Sequence, residues 1–281
     1  MVLAIDVGAT KTAWALSESE GVLKTPEKRP TENVPALLEE IISTYALCVD
    51  AVGIALVGHV DPVKAVWKEA LTIPGSYPQD LQTLTPLPVF ADNDVKAATL
   101  AELAYGWGKT FTEVLCLNLG SGVSLGVISG GVVQRGSSNY SGEVGHFPVW
   151  NGEEYQPLEH LLGGLGLQRY LVQQGIHGGA EALFRLSAQG DKEAMNRVVF
   201  LKESLVQLLV GLIHLYNPQC VALSGSLSLQ KALTEDLEKH VRSRLLKVSN
   251  ASLQIIASSK VGPRESALLG ASHLAWKGKE K

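Results

Sequence analysis

VLAIDVGATKTAWAL, residues 2–16, sets an apolar run ending in Asp6 against a polar turn and a second short apolar run. Continuous Val, Leu and Ile broken by a glycine-containing bend read as two strands of a hairpin. The pattern returns at 114–136 as VLCLNLGSGVSLGVISGGVVQRG, again strand, glycine turn, strand, turn, strand. Two such hairpins in one chain imply two related α/β lobes, each holding one side of a ligand in the cleft between them. The expected division is a small lobe over 1–106, completed by a closing helix over about 265–281, and a larger lobe over 107–264.

Working outward, Pro35 begins a helical pattern carried by Leu37, Leu38, Ile41 and Ile42. The strand AVGIALVG follows at 51–58, and PLPVFADND at 86–94 runs apolar until it meets Asp92, Asn93 and Asp94. VKAATLAELAYG then reads as a helix stopped by Gly106, so Asp94 sits where a strand hands over to a helix. Later segments read as a helix from about Asp191 to Tyr216, a buried strand CVALSG at 220–225, a helix over 229–247, a strand SLQIIAS and a final helix ESALLGASHLAW.

The chain has 281 residues, 46% hydrophobic and 19% charged, with 28 glycines, which suits a globular α/β protein rich in turns. A net charge of -4 offers no basic field for a phosphate backbone, so nucleic acid is not an expected partner. Cys48, Cys116 and Cys220 are too far apart for a CxxC pair and read as reduced core residues. The start runs from Met1 directly into a strand pattern, which gives a cytoplasmic expectation. The apolar run LVQLLVGLIHLY at 205–216 is interrupted by Gln207 and His214, and no membrane span is expected.

Three clusters can carry chemistry. In DVGATKT, Gly8 admits a close anion, Thr10 and Thr12 offer hydroxyls and Lys11 a charge; the same residues also suit a plain hairpin bend. Gly120 and Gly122 flank Ser121 in the second turn, which suits a phosphate cradle and is weak when taken alone. Asp94 at a helix N-terminus is kept ionised by the macrodipole and can act as a base, or simply as a cap. Asp6 can hold Mg²⁺ through water or cap a turn. In SGEVGHF at 141–147, Glu143 and His146 can hydrogen-bond sugar hydroxyls.

Taken together, these segments resemble the ROK sugar kinases, a branch of the group with the actin-like, hexokinase-like (ribonuclease H-like) fold. The resemblance runs from AIDVGATKT to ESALLGASHLA. It implies an ATP- and Mg²⁺-dependent kinase acting on a hexose at the 6-hydroxyl, with its active site in the interlobe cleft. Glucose is the default substrate, and N-acetylmannosamine, another N-acylhexosamine or fructose the alternative.

By that resemblance DVGATKT and LGSGVSLG are the two phosphate loops, DNDVKAATLAE the catalytic segment with Asp94 as base, and GEVGH the sugar signature. Asn93, Gly58, Glu143, His146 and Glu159 fall to the sugar. Asp6, Gly8, Thr10, Lys11, Thr12, Gly120, Ser121 and Gly122 fall to MgATP, and Gly225 in LSGSLS lies near the adenosine. A homodimer is a further implication.

Two departures stand out. The family's cysteine-rich zinc segment is replaced by FPVWNGEEYQPLEHLLGG, so no zinc is expected at His146. Packing of Trp150, Tyr155 and Leu158 is expected to hold that stretch. Ser124 and Leu125 stand where glycines are usual in the second loop, which bears on phosphate approach. No helix-turn-helix pattern precedes the first strand, which fits poorly with the DNA-binding regulators of the family. Beside the kinase stand two other readings: a sugar or nucleotide sensor without turnover, and a hydrolase using Asp6 and Asp94.

Overall fold

The computed structural model describes residues 1–75, 77–150, 154–262 and 265–280. The chain forms two compact units, one of Met1–Gly106, Val133–Ser141 and Arg264–Lys281, the other of Trp107–Val132 and Gly142–Pro263. Residues 133–141 therefore join the first unit, although they lie inside the stretch that the sequence gives to the second lobe.

In the first unit, strands β1 (Val2–Val7), β2 (Lys11–Ser17) and β3 (Glu27–Pro30) form an antiparallel meander. Helix α1 (Val34–Tyr45) starts with Pro35 in its first turn and buries Val34, Leu37, Leu38, Ile41 and Ile42 along one stripe. Strand β4 (Ala51–Leu56) then pairs parallel with β1. Three strands too short to show alternation, β5 (His59–Asp61), β6 (Val66–Glu69) and β7 (Gln79–Asp80), make a small separate sheet that the sequence pattern does not reveal. Strand β8 (Val89–Asn93) completes the main sheet in the order β3-β2-β1-β4-β8.

Helix α2 (Asp94–Tyr105) follows β8 without a loop and ends where the Gly106 amide donates to the Glu102 carbonyl. The closing helix Ser266–Gly278 packs on α2, β1 and β4. It comes close because small residues meet: a Cβ on Gly53 or Gly270 would run into the backbone of Ala271 or Ala97. Ala4, Ala15, Ala55, Ala97, Leu268 and Ala271 form the core on this side. Leu3, Ile5, Leu38, Ile42, Ile54 and Leu56 fill the α1 side, each stabilising by about 1.5–3 kcal/mol relative to exposure.

In the second unit, β9 (Val114–Leu119), β10 (Val123–Ser129) and β11 (Val132–Val133) repeat the opening meander. A hairpin follows, β12 (Pro148–Trp150) against β13 (Tyr155–Pro157). Helices α3 (Glu159–Leu162), α4 (Gly164–Gln173), α5 (Gly179–Ala188) and α6 (Lys192–Tyr216) come next. Strand β14 (Cys220–Ser224) pairs parallel with β9, and β15 (Ile255–Ser258) with β14, giving the order β11-β10-β9-β14-β15. Both five-stranded sheets thus carry three antiparallel strands followed by two parallel ones.

Helix α6 is capped by Asp191, whose Oδ1 accepts from the Ala194 amide at 2.9 Å. Among the described residues it is the one helix long and apolar enough to cross a membrane. Here it buries Val198, Leu201, Leu205, Leu209 and Leu212 in the core of the second unit.

The helix expected over 229–247 is instead broken into α7 (Lys231–Thr234) and α8 (Leu237–Arg242), with α9 (Lys247–Ser252) beyond. Asp236, at a φ of 55°, turns the chain between the first two pieces. Cys220 is buried and Cys116 half-buried, but Cys48 is exposed after the end of α1, so it is not a core residue.

Candidate active site

Register in the first sheet gathers the acids. Asp6 lies beside Ala55 and Ala55 beside Asp92, while Val7, Leu56 and Asn93 form the next row. Strands β1, β4 and β8 are mutually parallel and end together, the edge at which open α/β sheets bind ligands.

Asn93 is the hub of this edge. Its Oδ1 accepts from the Val95 and Lys96 amides at 3.0 and 3.2 Å, capping α2. Its Nδ2 donates to the Gly58 carbonyl and to Asp94 Oδ1, both at 3.0 Å. Asp94 Oδ1 also accepts from the Val95 amide at 2.9 Å, so one carboxylate oxygen is held from two directions. Gly58 has a φ of 95°, and a Cβ there would collide with the Glu69 carbonyl, so glycine is required at this contact.

Asp6 is partly exposed at its surface yet densely surrounded by protein. That surrounding, then the charge of Asp94, pushes its carboxyl up to about 7, with Lys28 opposing. A carboxyl held up in this way by burial and a neighbouring carboxylate makes a setting where a hard divalent cation fits, because its charge would offset the repulsion. Among the described residues no group of three or more His, Cys, Asp or Glu comes together to cage a metal. A cation at Asp6 would therefore draw its other ligands from water and phosphate.

The first glycine turn is stiff. The Gly8 amide donates to the Lys11 carbonyl at 3.1 Å, and Thr31 Oγ1 to the Gly8 carbonyl at 2.8 Å. Thr10 and Lys11 are exposed. Thr12, expected to offer its hydroxyl to phosphate, is instead fully buried, with Oγ1 3.0 Å from Thr31 Oγ1. Strand alternation turns Thr12 inward where Lys11 turns outward.

In the second unit, the turn at Gly120–Gly122 is backed by α4. The Gly164 and Leu165 amides donate to the Gly120 and Ser121 carbonyls at 2.8 and 2.9 Å. Glu159 reaches the same turn: a Cβ built on Gly122 would stand 2.7 Å from its Oε2, and one on Gly145 3.2 Å. The structure thus brings Glu159, the second turn and the middle of the GEVGH motif together. Gly225, at a φ of 84°, packs its backbone on Leu119 and Gly120, leaving no room for a side chain. Glu143 precedes a short helical turn at Val144–His146, and His146 is exposed.

Ser124 and Leu125 lie in β10, beyond the turn itself. Ser124 Oγ accepts from Asn118 Nδ2 at 3.4 Å, and Leu125 is buried, its amide donating to the Gly142 carbonyl at 2.9 Å. In the stretch that replaces the cysteine-rich segment, the β12–β13 hairpin pairs Trp150 with Tyr155, rings edge-on at 5.2 Å, but both rings are exposed, and of the three residues expected to pack there only Leu158 is buried. Residues 151–153 of that stretch lie outside the described ones.

A set of residues in the first unit comes together with little signal in the sequence pattern. Asp92 is fully buried and meets Arg135 and Asn139, and buried Lys96 donates to Ser141. Their partners are remote in sequence, and the one local signal is the charge at the apolar end of β8.

The family description "ROK family" matches residues 2–278. The bifunctional enzyme NanE/NanK of Brucella melitensis is 26% identical over 249 residues, covering 85% of this chain and 48% of that protein. The chain therefore spans about half the length of the first curated relatives it matches. The N-acetylmannosamine kinase of Escherichia coli is 28% identical over 257 residues, covering 85% of this chain and 87% of that protein. Among solved structures, a ROK family glucokinase from Streptomyces griseus, in complex with glucose and AMPPNP, superposes with a TM-score of 0.80 at 25% identity, covering 99% of each chain. With the match running almost end to end over an α/β fold of the actin-like, hexokinase-like type, the chain belongs to the ROK family.

Proposed function

We propose that this chain is a sugar kinase that transfers the γ-phosphoryl group of ATP to the 6-hydroxyl of an N-acylated hexosamine, with Asp94 as general base. The observation that carries this reading is the hold on Asp94: an acid at the first position of α2, with one oxygen fixed by Asn93 Nδ2 and the Val95 amide. Curated relatives named as N-acetylmannosamine kinases favour the N-acylated sugar. Glucose is the second reading, favoured by the glucokinase crystallised with glucose and AMPPNP.

Phosphoryl transfer passes through a loose transition state, so the protein's work is placement and charge rather than covalent chemistry. Asn93, Gly58, Glu143, His146 and Glu159 orient the sugar in this reading. Asp94 accepts the hydroxyl proton as the oxygen attacks the γ-phosphorus and the bond to ADP breaks. Gly8, Thr10 and Lys11 in one turn, and Gly120, Ser121 and Gly122 in the other, hold phosphates, with Gly225 toward the adenosine. Asp6 is the residue to hold Mg²⁺, which when bound neutralises phosphate charge.

The test is an ADP-release assay over a panel of hexoses and N-acylhexosamines, with ³¹P NMR of the product. N-acetylmannosamine giving the highest kcat/KM and a 6-phosphate product supports the reading, and a higher kcat/KM for glucose selects the second. ATP hydrolysis indifferent to every sugar contradicts both and favours the hydrolase reading; sugar binding without turnover favours the sensor.

A further inference from the structure

We infer that Asp92 is a positioning residue for the base at 94, holding Asn93 directly and, through Arg135 and Asn139, the strap 133–141 that leads into the sugar motif; the inference rests on the kinase reading above. Its carboxylate is fully buried in β8, beside Ala55 of β4. A buried charge costs several kcal/mol unless its oxygens are satisfied, and well-packed apolar residues are often as stable. Fold stability alone does not call for an acid here.

What the acid provides is direction. Asp92 Oδ1 accepts from the Asn93 amide at 2.9 Å and from Asn139 Nδ2 at 2.8 Å. Arg135 Nη2 stands 2.7 Å from Oδ2 as an ion pair, without the alignment of a hydrogen bond. Arg135 Nη1 donates to Asn139 Oδ1 at 2.8 Å, and Asn139 Nδ2 also donates to the Val60 carbonyl at 3.1 Å. Asn139 holds a φ of 64°, a left-handed conformation that asparagine tolerates better than most residues.

A second tie lies four residues along the same segment. Lys96 Nζ donates to the Ser141 carbonyl at 2.5 Å and to its Oγ at 3.1 Å. Residues 92–96 therefore grip the strap at Arg135, Asn139 and Ser141, and the chain reaches Glu143 two residues later. The same segment carries Asn93 and Asp94, so the stretch that bears the base is also the one that holds the strap, Asp92 at Arg135 and Asn139 and Lys96 at Ser141. Misplacement by about 1 Å, even from a change far from the chemistry, can cost roughly 100-fold in rate.

Asp92→Asn keeps the shape and removes the charge, and Arg135→Ala removes the partner from a one-third exposed side chain, so it reports even where Asp92→Asn fails to fold. In both variants kcat should fall about 10- to 100-fold, the KM for ATP should stay near wild type, and amide exchange at Asn93 and Val95 should quicken. Arg135→Lys should restore part of kcat. A variant that melts earlier but keeps its kcat and its protection at 93–96 overturns the inference, leaving Asp92 a packing residue. A wild-type chain that phosphorylates no sugar overturns the kinase reading instead. Exchange then decides alone: loss of protection in Asp92→Asn supports the hold on Asn93, and retained protection contradicts it.

Discussion

Asn93 donates its side-chain amide to Asp94 Oδ1 at 3.0 Å while its own Oδ1 caps the helix that Asp94 begins. One side chain thus ends a strand, starts a helix and aims a carboxylate.

Asn93→Ala tests that triple role. Losing the cap should cost about 1 kcal/mol of stability, read as a lower melting temperature. Loss of the amide on Asp94 and of the proposed sugar contact should raise the sugar KM about tenfold. Kinetics and melting on the same preparation separate the two effects.

Asp6 carries a pH signature. Its carboxyl titrates near 7 in the fold against an ordinary 3.8, because burial and the charge of Asp94 both favour the proton. Between those values the folded chain holds a proton that the unfolded chain has lost, so stability of the ligand-free protein falls as pH rises through this window. Magnesium binding needs the ionised form, so affinity for MgATP should rise with pH up to about 7 and release a proton below it. Calorimetry in buffers of different ionisation enthalpy measures that proton. Asp94→Asn should shift the midpoint downward, and Asp6→Asn should abolish the pH dependence while weakening MgATP.

Gly225→Ala should destabilise the second unit by more than about 1 kcal/mol, since φ is positive and the space is filled by Leu119 and Gly120. The strain falls on the second glycine turn, so the KM for ATP should rise. Sugar binding measured without nucleotide should stay near wild type.

Much of this was legible in the chain because it is written locally. Apolar runs broken by Gly8 and by Gly120–Gly122 show both hairpins, and the DND step from strand to helix marks Asp94. The partners of Asp92 were not legible: Asn139 lies 47 residues away, and nothing in its neighbourhood points to that acid. The hydroxyl of Thr12 suggests a phosphate ligand by residue type, whereas strand alternation turns it inward. The break at Asp236 leaves no sequence signal, because Asp is an ordinary helix residue until its backbone turns left-handed.

ADP release with saturating ATP, compared between wild type and Asp94→Asn with and without the preferred sugar, tests Asp94 as the base most directly. Wild type should release ADP in step with the sugar supplied, and the isosteric variant should lose about 100- to 10,000-fold of that rate while melting at nearly the same temperature. Sugar-dependent release that persists in the variant at close to the wild-type rate would contradict Asp94 as the base.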